Sequence, residues 1–261
     1  MRAVLGIDAA WTTSQASGVA LVAEKGPAWE LLAVESSYQR FHAKADGSLP
    51  ETFPSGSRPD AAALLASSAT LCGVPVDLVA IDMPLAHGPI RGRRFSDNEV
   101  SRVFGARKCG THTPSSERPG PISSALKEEF GRAGYPLQTD TISPPGMIEV
   151  YPHPALVELA TAPQRLPYKV SKVRSYWPDA TMAERRTLLF QEWDRITALL
   201  EAKIRGVTKA LPIPLDPRGR NLKSYEDMLD AVVCAWVAIC TLEGHAKPFG
   251  DQNSAIWIPS G

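Results

Sequence analysis

Four aspartates stand out in positions that could do chemistry. Asp8 ends the apolar run Val4-Leu5-Gly6-Ile7, and Asp82 ends the run Val76 to Ile81. Asp227 and Asp230 lie three residues apart in YEDMLDAVVCAW, a spacing that puts both on one helix face. From Met228 to Ile239 that helix is apolar nearly all round, which marks it as buried. Its other neighbours of the pair are Glu226, Val233 and Cys234, so no Lys or Arg of the helix is expected to neutralise the two acids. A buried pair of like charges needs a proton or a cation. Carboxylates without His or Cys among them suit Mg²⁺ or Mn²⁺ rather than Zn²⁺. Two such ions on shared carboxylates stabilise the attacking and leaving oxygens of a phosphodiester displacement. Asp8, Asp82, Asp227 and Asp230 are therefore the expected metal ligands and catalytic groups, with Glu149 in GMIEVY as a further catalytic candidate. Asp227 also has a plainer reading, as the capping-box partner of Ser224.

Other candidates are weaker. Arg91, Arg93 and Arg94, soon after the Asp82 run, could hold phosphates as bidentate donors, or belong to a solvated loop. Cys109 and His112 are spaced as half a zinc site, but no matching pair follows. His153 is a general acid or base close to Glu149, or a residue of a Pro-bounded turn. Asp97 and Glu99 suit the first turn of a short helix, where acids interact favourably with the helix dipole.

The elements that must position these residues can be read from periodicity. Strands are expected at Val4–Ile7, Gly18–Val22, Trp29–Val34, Val76–Ile81 and Gly146–Tyr151. Ser36 to Ser57 reads as a long loop. Helices are expected from Pro59 to Leu71 with Gly73 just past the end, near Asp97 to Phe104, and from Met182 to Arg205 behind a Thr181/Glu184 capping box. The last helix runs from about Tyr225 to Glu243. That order implies one α/β domain spanning residues 1–261, with insertions at about 84–145 and 161–222. Asp8 and Asp82, at the carboxyl ends of their strands, should face one crevice.

Charge is unevenly distributed along the chain. The 28 basic and 28 acidic residues cancel overall. Residues 84–135 and 163–223 nevertheless hold 22 basic against 11 acidic side chains, leaving the remainder acidic. An acidic site flanked by basic segments is suited to a polyanion. No apolar run approaches the ~18 residues of a membrane span. MRAVLGIDAAW does not read as a secretory leader, and four scattered cysteines give no disulfide framework, so a cytoplasmic location is expected.

GIDAAW, AIDMPL, RRFSDNE, IEVYPHP, YEDMLDAVVCAW and the closing IWIP together resemble a family of predicted ribonuclease H-like nucleases, domain of unknown function 429. The DMLDAVVCAW helix is similar to the last helix of Holliday-junction resolvases. The resemblance implies a ribonuclease H-like fold: a five-stranded mixed sheet in the order 3-2-1-4-5, flanked by helices, with the first and fourth strands adjacent. It implies a Mg²⁺- or Mn²⁺-dependent nuclease acting on DNA or RNA, with no membrane partner. Two other functions share such a core. A phosphotransferase of the sugar-kinase and actin type would use GIDAAWTTSQASG as a phosphate hairpin, although Ala9 and Ala10 replace the close-approach glycine. A non-catalytic nucleic-acid-binding module would keep the basic segments and have no use for the acids.

Overall fold

The computed structural model describes residues 1–216 and 218–260. The chain opens with three antiparallel strands, β1 (Ala3–Asp8), β2 (Gly18–Lys25) and β3 (Ala28–Glu35). Two helices follow, α1 (Tyr38–Asp46) and α2 (Ala61–Cys72), leading to β4 (Leu78–Ile81). Next come α3 (Phe95–Phe104), α4 (Gly120–Arg132), β5 (Gly146–Val150) and α5 (Pro152–Leu159). The long second half holds α6 (Val173–Tyr176), α7 (Met182–Glu201), the two-residue β6 (Ile204–Arg205) and α8 (Val207–Ala210). It closes with α9 (Gly219–Leu242) and the hairpin β7 (Ala246–Gly250) and β8 (Ala255–Pro259).

All eight strands join one mixed sheet in the order β6-β3-β2-β1-β4-β5-β8-β7. The expected sheet had five strands. The run 3-2-1-4-5 forms its middle, while β6 extends one edge and β8 and β7 the other. The two-residue β6 is too short to give a pattern, and β8 joins the sheet by pairing parallel to β5 and antiparallel to β7, contacts between distant segments that no local pattern contains. Asp251 closes the β7–β8 turn by accepting from the Asn253 and Ser254 amides.

Strand alternation divides the core in two. Val4, Ala20, Leu78, Ala80, Ile148 and Val150 face α5, α7 and α9. Leu5, Ile7, Leu21, Val79, Ile81 and Met147 face α1, α2 and α4. Helices thus cover both faces of the sheet. Gly73 takes the left-handed conformation after α2 and the Thr181/Glu184 capping box opens α7, both as expected.

Three expectations need correction. The segment 36–57 is not all loop, because Ser37 accepts from the Arg40 amide and starts α1. His153 lies not in a Pro-bounded turn but in a helix: a proline needs no amide partner in a first turn, and Pro152 opens α5. The last helix begins at Gly219, six residues before the expected Tyr225, so Ser224 lies inside it and caps nothing. Among the described residues, no helix is long and apolar enough to cross a membrane.

Candidate active site

Register brings Asp8 and Asp82 side by side. Gly6 pairs with Ala80 and Ile7 with Ile81 across the parallel β1–β4 ladder, and the Asp82 amide donates to the Ile7 carbonyl at 2.8 Å. Alternation from Val4 and Gly6, and from Leu78 and Ala80, turns both aspartates toward α9. There α9 presents Asp227 and Asp230, both buried. The helix comes this close because glycines lie under it. A Cβ on Gly6 would stand 2.1 Å from the Ala231 carbonyl oxygen.

Burial and mutual repulsion dominate the electrostatics. Burial, then Asp227 and Asp230, raise the Asp8 carboxyl well above its usual range. Burial and Asp230 push Asp82 up to about 7. Asp227 is also raised by burial, against the pull of Lys223. Asp8 and Asp227 raise each other's cost of ionising, and a proton or a cation between such buried acids relieves it.

The two α9 acids have partners that sequence reasoning did not supply. Lys223 is in the helix after all, one turn before Asp227, with its ammonium 2.5 Å from the Asp227 carboxylate. Asp230 accepts from the Tyr168 hydroxyl at 2.7 Å and is ion-paired with Lys169. Lys169 also reaches Glu226 at 3.3 Å. Burial works against the Lys169 ammonium, but Asp230, Tyr168 and Glu226 together hold its pKa well above the ordinary value. Asp230 is therefore a neutralised carboxylate, because Lys169 arrives from a segment 61 residues away in sequence.

Glu149 is not part of the aspartate cluster. Ile148 and Val150 face α9 while Met147 faces the opposite side, so alternation turns Glu149 away from α9. Its carboxylate receives Arg94 at 2.5 and 2.7 Å and the Leu85 amide at 2.7 Å. Burial raises it to about 7 against the pull of Arg94. Arg94 also binds Asp97 at 2.8 Å and is itself buried, so it is a core ion pair and not a phosphate ligand. Arg93 is spent on Asn98, Ser101 and the Asp97 carbonyl. Arg91 is exposed, and neither it nor Arg93 lines the cleft over the aspartates.

That cleft has two lobes. The first, about 370 Å³, lies over Asp8, Asp82 and Asp227. The second, about 430 Å³, reaches from Asp82 past Glu149 to Tyr151, His153, Arg165, Lys169 and Lys172. Trp11, Asp82, Arg118 and Lys223 line both. His153 sits in the first turn of α5 between the rings of Tyr151 and Tyr168, and burial drives its pKa well below the ordinary value. It is a neutral wall residue of the second lobe. Cys109 is buried, whereas His112 is exposed on that lobe's rim. The cleft cations Arg118, Arg165, Lys169, Lys172, Arg220 and Lys223 all come from the two basic segments. The uneven charge count was their only signal in the sequence.

Among the described residues, no three His, Cys, Asp or Glu side chains form a ready-made metal shell. The donor chemistry still suits a hard cation at Asp8, Asp82 and Asp227, where burial leaves the acids under-neutralised.

A family model described as "Protein of unknown function (DUF429)" matches residues 6–255, and the chain belongs to that family. No curated protein and no solved structure matches it.

Proposed function

We propose that this family member is a metal-dependent phosphodiesterase acting on nucleic acid, built on a ribonuclease H-like core. One observation carries the reading: Asp8, Asp82 and Asp227 converge under-neutralised at the floor of a cleft whose walls are basic. The central strand order β3-β2-β1-β4-β5, with α9 crossing β1 and bringing an acid to the strand ends, supports the fold assignment and the likeness to junction resolvases.

Asp8, Asp82 and Asp227 would hold Mg²⁺ or Mn²⁺. Asp230, already neutralised, would help position Lys169. The bound ion would supply an activated water and charge neutralisation at the departing oxygen. The chain's own residues do the rest. Lys169 offsets the negative charge of the floor, so a phosphate meets less repulsion on entry. Tyr168 holds Asp230 by its hydroxyl, and the Arg94–Glu149 pair keeps the wall of the second lobe rigid. Arg118 and Arg220 face the first lobe, where they attract the phosphate backbone.

The test is hydrolysis of labelled DNA and RNA by purified protein in Mg²⁺ or Mn²⁺, with EDTA and Asp8→Asn as controls. Metal-dependent cleavage that disappears in Asp8→Asn supports the reading. Cleavage that survives either control, or no cleavage of any substrate by a protein that binds nucleic acid, overturns it.

A further inference from the structure

Lys169, Lys223 and Arg94 are committed to carboxylates. Among the described residues, four other cleft cations have no acidic partner within 4 Å: Arg118, Arg165, Lys172 and Arg220. Lysines and arginines that line a cleft without an acidic partner keep their charge available to phosphates.

Two of the four stand over aromatic rings. The Arg118 guanidinium lies 5.8 Å from the Trp11 ring centre, at the wall the two lobes share. The Arg220 guanidinium lies 4.5 Å from the ring of Phe53, which is exposed beside the Pro54 rim of the first lobe. A cation beside an aromatic ring in the cleft wall supplies what an unpaired strand needs: charge for the backbone and a flat surface for a base. The dimensions agree. Lobes of about 370 and 430 Å³ are in the range that encloses a small ligand, room for a nucleotide in each. The aspartates at their floor are buried or half-buried.

We infer that the cleft takes a single strand of nucleic acid along both lobes, with one base against Trp11 and the flanking phosphates on Arg118, Arg165 and Lys172. This rests on the hydrolase reading for its purpose but not for its measurement, because binding can be followed without metal.

The experiment is fluorescence anisotropy in EDTA with labelled oligothymidylate, oligouridylate and a blunt duplex of equal length. Either single strand should bind about tenfold or more tightly than the duplex. Trp11→Ala should weaken single-strand binding about tenfold, the loss of one stacked base, while Trp11→Phe should restore most of it. Replacing both Arg165 and Lys172 by Ala should flatten the slope of log affinity against log salt by about 1.4. Should Trp11→Ala fail to fold by circular dichroism, Trp11→Leu removes the aromatic face while keeping apolar packing. Duplex binding as tight as single-strand binding, or unchanged affinity in a folded variant lacking the Trp11 ring, overturns the inference. Single-strand binding without metal-dependent cleavage would sink the hydrolase reading and leave this one standing.

Discussion

A Cβ on Gly18 would lie 2.0 Å from the carbonyl oxygen of Asp227. The first residue of β2 is therefore the spacer that sets how deeply an acidic residue of α9 sits over the sheet. Atoms that close must move apart, and the contact is backbone, which cannot swing aside. Gly18→Ala should push α9 outward at Asp227 and cost stability on the scale of overpacking, about 1–3 kcal/mol. Hydrolysis should fall further than the loss of folded protein explains. Activity per folded molecule, from parallel melting and rate measurements, checks this; unchanged specific activity would show that the spacing does not matter.

Asp230→Asn should destabilise the protein. Asparagine can still accept from Tyr168 but leaves the Lys169 ammonium leaning on Glu226 alone. Removing one partner of a buried pair costs about 3–5 kcal/mol at full burial, and the remaining Glu226 contact places this variant at about 2–3 kcal/mol. Lys169→Met should be similarly harmful by stranding Asp230. The double variant should cost less than the sum of the two, and urea unfolding of all four proteins measures that coupling.

Arg94→Ala should destabilise by about 3–5 kcal/mol, since it strands both Glu149 and Asp97 in the interior. Arg91→Ala, at an exposed position, should leave stability within about 0.5 kcal/mol of the parent. Equal melting temperatures for the two would show that Arg94 is not the core ion pair described.

The aspartates make a pH prediction for metal-free protein. An unfolded Asp titrates near 3.9, whereas the folded chain holds Asp82 at about 7 and Asp8 well above its usual range. The folded state thus binds these protons more tightly. Their stabilising effect is complete below about pH 4 and is lost as pH rises through 7. In EDTA the melting temperature should fall between pH 5 and 8, because Asp8, Asp82 and Asp227 together outweigh the opposite slope from buried His153. A rise across that window would contradict the buried cluster.

Mn²⁺ or Mg²⁺ should reverse that fall, because a cation at Asp8, Asp82 and Asp227 removes the repulsion that deprotonation creates. A ligand at 100 times its dissociation constant adds about 2.7 kcal/mol. The gain should be larger at pH 8 than at pH 6, and absent in Asp8→Asn. Melting curves across a metal titration at both pH values decide it.

Much of the scaffold was legible from local pattern. Asp8 and Asp82 end apolar runs, which places both at the carboxyl ends of strands, and the parallel register of β1 on β4 turns them to one face. Asp227 and Asp230 share a helix face by spacing alone, and the apolar sequence around them predicts their burial. What no local pattern contains is the partner from a distant segment. Lys169 reaches Asp230 across 61 residues and Arg94 reaches Glu149 across 55, and those contacts decide which acids are free and which are neutralised. The same holds for β8, whose place in the sheet depends on pairing with β5, more than 100 residues earlier in sequence, as well as with β7. A carboxylate's position follows from chain periodicity, but its charge state depends on what the folded chain packs beside it.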